Sequence, residues 1–145
     1  MTRREIREHL FVILFRVDFH NQQELEEQVL VYLEEMEKAS KKVKAEIHDK
    51  FYAVIDHIQE IDARIEAKSQ GWEIERMAKA DVTILRLAVY ELLFDEKVPT
   101  GVAINEAVEL AKQYGTDKST VFINGVLASI AKQNESEPER PEENQ

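Results

Sequence analysis

"ILRLAVYELLFDEKVPTGVAINEAVELAKQYG", residues 84–115, reads as two helices joined by a turn. In its first half Ile84, Leu85, Leu87, Ala88, Leu92 and Leu93 recur at helical steps, which gathers them on an apolar face. Val98-Pro99-Thr100-Gly101 interrupts with turn chemistry. Ile104, Ala107, Val108, Ala111 and Tyr114 then resume the helical step until Gly115 supplies a stop. This pair predicts the core of the C-terminal half of an all-α protein.

The same period extends outward. Toward the C-terminus, Phe122, Ile123, Val126, Leu127 and Ile130 form the apolar face of a last helix that Ser119 is expected to cap. Toward the N-terminus, Val43, Ile47, Phe51, Val54, Ile55, Ile58, Ile61 and Ile65 predict one long helix from a Ser40 cap to Lys68, ended by Ser69-Gln70-Gly71. A short segment around Trp72 to Met77 follows it. Leu25, Val29, Tyr32, Leu33 and Met36 mark a helix over about 23–37. The first helix, about 3–19, carries two stripes: Ile6, Leu10, Ile13, Leu14 and Val17 on one side, Phe11, Val12, Phe15 and Phe19 on another. A helix apolar on two sides is usually sandwiched, so it is expected at the centre.

The 145 residues suit one domain with one core, and only four Gly and three Pro favour long helices. Residues 1–133 are expected to form that domain. Beyond Gln133 large apolar residues are absent and two Pro stand among five Glu, so residues 134–145 are expected to be a disordered acidic tail. A net charge of −10 excludes wholesale coating of nucleic acid, and any RNA must bind at a local patch. The tail accounts for −4 of that charge, whereas Met1 to Arg16 holds four Arg against two Glu. The apolar run Leu10 to Leu14 is too short for a signal peptide or membrane span, so a cytoplasmic protein is expected.

Catalytic and metal chemistry find no foothold. Cysteine is absent, no Glu-x-x-His or His-x-x-x-His pair occurs among His9, His20, His48 and His57, and phosphate-loop, dinucleotide and nucleophile-elbow motifs are missing. Asp56 and His57 are adjacent but diverge by about 100° on a helix. Neither an enzyme nor a cofactor or metal site is expected. Arg3, Arg4 and Arg7 are the best phosphate-binding candidates, because guanidinium offers two parallel donors and stacks on bases, although charge pairing at a helix start produces the same pattern.

Residues 81–125 resemble the C-terminal half of NusB-family proteins. The resemblance rests on Ile84-Leu85-Arg86-Leu87-Ala88, Tyr90-Glu91-Leu92, Pro99, the run Ile104 to Lys112, and Phe122-Ile123-Asn124-Gly125-Val126-Leu127, with Trp72 and Arg76 upstream. Arg4 and Arg7-Glu8 occupy the family's arginine-rich start. The resemblance implies seven helices in two packed sub-bundles. It further implies a non-catalytic antitermination factor that binds single-stranded boxA-type leader RNA together with NusE, ribosomal protein S ten, within the RNA polymerase antitermination complex.

Residue by residue, it implies RNA contact for Arg3, Arg4, Arg7, Lys118 and Phe122, and NusE contact for Phe15, Glu75 and Asp81. Asn105 and Glu106 are expected to be structural, satisfying backbone or pairing with Arg86, and Asn124-Gly125 to let the last helix approach a neighbour closely. Departures from the family pattern are Val12 for a frequent Gln, Val121 for a frequent Lys and Ala128 for a frequent Asp, while Lys118 moves positive charge into the loop. Two alternatives remain at this point. One is a helical interaction or dimerisation module that does not bind RNA. The other is the NusB-like domain of a methyltransferase, which needs a cofactor-binding domain not expected here.

Overall fold

The structure, a computed structural model, describes residues 1–136. It is all-helical over those residues: α1 (Arg3–Arg16), α2 (Leu25–Glu34), α3 (Lys41–Asp56), α4 (Ile58–Lys68), α5 (Lys79–Phe94), α6 (Thr100–Tyr114) and α7 (Ser119–Ser136). α1 packs between α3 and α5, α2 lies on α3, and α4 to α7 form a second bundle around α5. Both stripes of α1 explain its central place. Ile6, Leu10, Ile13 and Leu14 are buried, as is Phe11 of the second stripe, while Val12 and Phe15 are half-buried.

The described residues hold seven α-helices, the number that the resemblance implies, but their bounds differ from those that periodicity suggests. The long helix expected from Ser40 to Lys68 breaks at His57, whose backbone (φ −105°, ψ 12°) leaves the helical region. Its ring stacks on Phe94 with centroids 3.9 Å apart. Val54, Ile61 and Ile65 are buried on both sides of the break, so the apolar period runs through it unchanged. Conversely, the segment around Trp72 to Met77 holds only a single 3-10 turn, Ile74–Arg76.

Helix ends shift too. α1 stops at Arg16, and Val17 and Phe19 enter the core from non-helical chain. α2 is shorter than expected at both ends. Ser40 caps α3 as expected, its hydroxyl accepting from the Val43 amide at 3.1 Å. α7 extends through Asn134, Glu135 and Ser136 into the segment expected to be disordered, and residues 137–145 lie outside the described residues. No helix among the described residues is long and apolar enough to cross a membrane.

Candidate functional site

The first turn of α1 is fixed by a reciprocal cap. The Thr2 hydroxyl accepts from the Glu5 amide at 3.1 Å, and the Thr2 amide donates to Glu5 Oε1 at 2.9 Å. Arg3, Arg4 and Arg7 leave this rigid turn in different directions. Arg7 lies one turn before Phe11 and is buried against α5, where Nε donates to both Glu91 oxygens at 3.1 Å and Nη2 to Oε2 at 3.0 Å. Lys50 of α3 reaches the same Glu91 carboxylate at 2.7 Å. Thus α1, α3 and α5 are pinned at one buried acid.

Glu106 of α6 extends this network. Its Oε1 lies 3.4 Å from Arg7 Nη1, and it receives Arg4 through Nε at 3.0 Å and Nη2 at 2.7 Å. The Arg4 hydrogen bond, followed by the fields of Arg4 and Arg7, holds Glu106 below the usual carboxylate range against the opposing effect of burial. Arg4 Nη1 takes no part in this clasp, and the side chain is 57% exposed, against 10% for Arg7. Arg3 spends both of its Nη nitrogens on Glu46 of α3. Arg3 is 69% exposed, so both it and Arg4 reach solvent, Arg4 with Nη1 outside its clasp, while Arg7 holds the platform beneath them.

Sequence reasoning does not mark Glu91 or Glu106 as functional, and Glu106 does not meet Arg86, which makes a bidentate pair with Asp62 at 2.8 Å instead. A signal exists nonetheless. Arg7 and Glu91 are charged residues on otherwise apolar helical faces, the pattern of a buried ion pair.

At the other end of α6, Gly115 ends the helix and Lys118 stands exposed in the loop. Phe122, in the first turn of α7, is half-buried against the core. Ser119 does not cap α7. Its hydroxyl donates to Asp81 Oδ1 at 2.7 Å and accepts from the Thr116 amide at 2.9 Å, so Asp81 ties the α6–α7 loop to the start of α5. A Cβ on Gly115 would lie 2.5 Å from the Ser119 oxygen, which makes this glycine a requirement of the loop. Gly125 carries no such requirement: a Cβ there meets nothing within 4 Å, so the expected close helix approach is absent.

Phe15 lies near the opposite end of α1 from the arginines. Arg4 and Phe15 are separated by about 16 Å of helix at 1.5 Å per residue. Phe15 lines a groove of about 250 Å³ with Phe11, Val12, Arg16, Ala80 and Tyr114, and Lys79 Nζ lies 4.6 Å from its ring centroid. Glu75 is exposed on the 3-10 turn just before α5. The structure thus brings Phe15 to the start of α5, which also carries Asp81. The arginines form a distinct cluster at the far end of α1.

The model of the family described as NusB family matches residues 4–132. The transcription antitermination protein NusB of Agathobacter rectalis is 51% identical over 131 residues, 90% of this chain and 100% of that protein. NusB of Lachnoclostridium phytofermentans is 49% identical over 90% of this chain and 98% of its own length. Among solved structures, T. maritima NusB is 36% identical with a TM-score of 0.82, covering 92% of each chain. A chain from the crystal structure of antitermination factors NusB and NusE in complex with dsRNA is 30% identical with a TM-score of 0.78, covering 90% of this chain and 96% of that one.

Proposed function

The chain belongs to the NusB family, and from that membership we infer that it is a transcription antitermination factor, a non-catalytic cytoplasmic adaptor that binds boxA-type leader RNA jointly with NusE. One domain over residues 1–133 carries both surfaces. The observation that supports this best is the position of Arg3 and Arg4 at the start of α1, away from Phe15, Glu75 and Asp81 around the start of α5; Lys118 and Phe122 lie with the second group, across Ser119 from Asp81.

Arg4 meets RNA directly, since a guanidinium held by a carboxylate along one edge is oriented before phosphate arrives and loses less side-chain freedom on binding. Arg3 binds alongside it from its tether on Glu46. Arg7 acts beneath the surface, fixing Glu106 and through it Arg4. Lys118 adds a cation and Phe122 an aromatic edge at the start of α7, replacing the positive charge that Val121 lacks. On the second surface Phe15 supplies apolar contact, Glu75 an exposed charge, and Asp81 holds the loop in register through Ser119.

Titration of boxA RNA with this protein, alone and with NusE from the same cell, tests the proposal. Weak binding alone and tighter binding with NusE are expected. Capture of NusE with no RNA bound at low salt would instead identify a protein-interaction module.

A further inference from the structure

A second concavity lies on the other side of the α1 N-terminus. It encloses about 700 Å³ between α1, α3 and the segment joining α5 to α6. Its lining contains five cations and three carboxylates, and because Glu91 behind the wall also holds Arg7 and Lys50, the positive charge left over rests on Lys42 and Lys97. Every one of those carboxylates already has a cationic or imidazole partner. Glu46 holds Arg3, Asp95 lies 3.1 Å from Lys50, and Asp49 lies 3.1 Å from His48 Nδ1. Lys42, on the first turn of α3, and Lys97, in the α5–α6 segment, have no ion-pair partner among the described residues, and both are exposed.

Between these two lysines the surface is not polar throughout. Ala53 and Val98 contribute apolar area over the buried Ile6 and Leu10, and the half-buried Tyr90 adds an aromatic ring whose hydroxyl has no hydrogen bond among the described residues. Unpaired cations beside an aromatic and apolar surface suit a nucleotide, phosphate on the lysines and base on the ring. The concavity adjoins the candidate RNA surface across Arg7. Arg7 lines both it and the smaller hollow that contains Arg4 and Glu106, so the two sites share a wall at the start of α1.

We propose that this groove is a second RNA site, which takes nucleotides of a single strand beyond those held at Arg4, with Lys42 and Lys97 on phosphates and Tyr90 against a base. The proposal rests on the RNA-binding function inferred above. A strand crossing the α1 N-terminus passes from the Arg4 hollow into the groove, and its added length contributes affinity only where the groove's cations are intact.

The experiment compares boxA RNA with the same RNA extended by a short uridine tract at its 5′ or its 3′ end. Each is titrated with the full chain, with the Lys42→Glu/Lys97→Glu variant and with Arg4→Glu, over a range of KCl concentrations. Circular dichroism confirms folding of each variant; both lysines are exposed and unpaired, so folding is expected to survive.

For the full chain, one of the two extensions should tighten binding several-fold and steepen its salt dependence. The lysine variant should lose that gain while binding the unextended RNA as before, with a slope shallower by about 1.4 on the extended RNA, from ~0.7 counterion per phosphate contact on a single strand. Arg4→Glu should weaken all three RNAs. If neither extension tightens binding, or if the lysine variant retains the gain, the groove is not an RNA site, even where Arg4→Glu shows that the first surface is. Loss of hexaglutamate binding by the lysine variant, with extended RNA unaffected, would assign the groove to an acidic protein and overturn the proposal. If Arg4→Glu changes no RNA, the underlying RNA-binding function fails with it.

Discussion

Arg7 of α1 and Glu91 of α5 are separated by 84 residues and joined by three nitrogen–oxygen contacts of 3.0–3.1 Å, with Lys50 completing the carboxylate's coordination from α3. The Glu91 side chain is 1% exposed. Removing one member of such a group leaves buried charge without its counterpart, which costs about 3–5 kcal/mol, whereas replacing charged partners together by apolar residues of similar volume is often nearly neutral. Glu91→Ala should therefore destabilise the chain by about that amount in urea unfolding. Arg7→Met/Lys50→Met/Glu91→Leu should recover most of it. A loss under about 1 kcal/mol for Glu91→Ala would show that solvent screens the cluster.

The two glycines flanking the α7 start should respond with opposite signs. Gly115→Ala forces a Cβ against the Ser119 oxygen and the Ala111 carbonyl, at 2.5 and 2.8 Å, and should cost about 1–3 kcal/mol. Gly125→Ala enters open space on an exposed helical face and should stabilise by up to ~1 kcal/mol. Thermal melts of the two variants, read against the parent, decide this; a stabilised Gly115→Ala would mean that the loop relaxes without using its Asp81 anchor.

Much of the fold is legible in the chain's periodicity, and the exceptions have physical causes. The faces of α5, α6 and α7 follow from apolar spacing because those helices pack on one another along continuous stripes. The break at His57 is invisible to spacing because it carries neither Gly nor Pro and leaves the stripe intact; it is set by tertiary stacking on Phe94. Ser119 has the composition of a cap but a closer partner in Asp81, a contact across 38 residues that local rules do not contain. The three arginines have the pattern of a helix start with local pairs, yet their partners are Glu46, Glu91 and Glu106 on other helices. Family resemblance supplies the roles of Phe15, Glu75 and Asp81, which spacing alone does not distinguish from core or solvated surface.

The attachment of α2 to α3 should depend on pH near neutrality. His48 faces Glu26 of α2 at 3.1 Å through Nε2 and Asp49 at 3.1 Å through Nδ1, while the Tyr52 hydroxyl donates to Glu26 at 2.7 Å. Burial disfavours the imidazolium, but the hydrogen bonds to Asp49 and then Glu26 outweigh it and raise His48 above its ordinary 6.5. Tyr52 is pushed up to about 12 by burial and by Glu26, so it stays protonated throughout. A raised folded value means that the contribution is complete below pH 6.5 and is lost as pH rises through the folded-state value. Amide exchange in Leu25–Glu34, corrected for intrinsic rates, should therefore quicken as pH rises above 6.5, and His48→Gln should remove the trend. The same trend in the variant would exclude His48 as its source.

Charge reversal at Glu75 probes the second surface without touching the fold, because the residue is exposed and precedes α5. Glu75→Lys should weaken NusE binding by about 1 kcal/mol, the scale of one exposed charge contact, and leave RNA binding by the chain alone equal or slightly stronger. Calorimetric titration with NusE provides the readout, and an unchanged affinity would remove Glu75 from the interface.

The claim that RNA is held by an arginine fork poised on Glu106 is tested most directly by the salt dependence of boxA RNA binding, measured with NusE saturating, for the parent chain and for Arg4→Glu. Weaker binding is expected for the variant, with a salt slope shallower by about 0.7 or more because one phosphate is no longer neutralised, and NusE affinity unchanged. Equal RNA affinity and equal slope in a folded Arg4→Glu protein would contradict it.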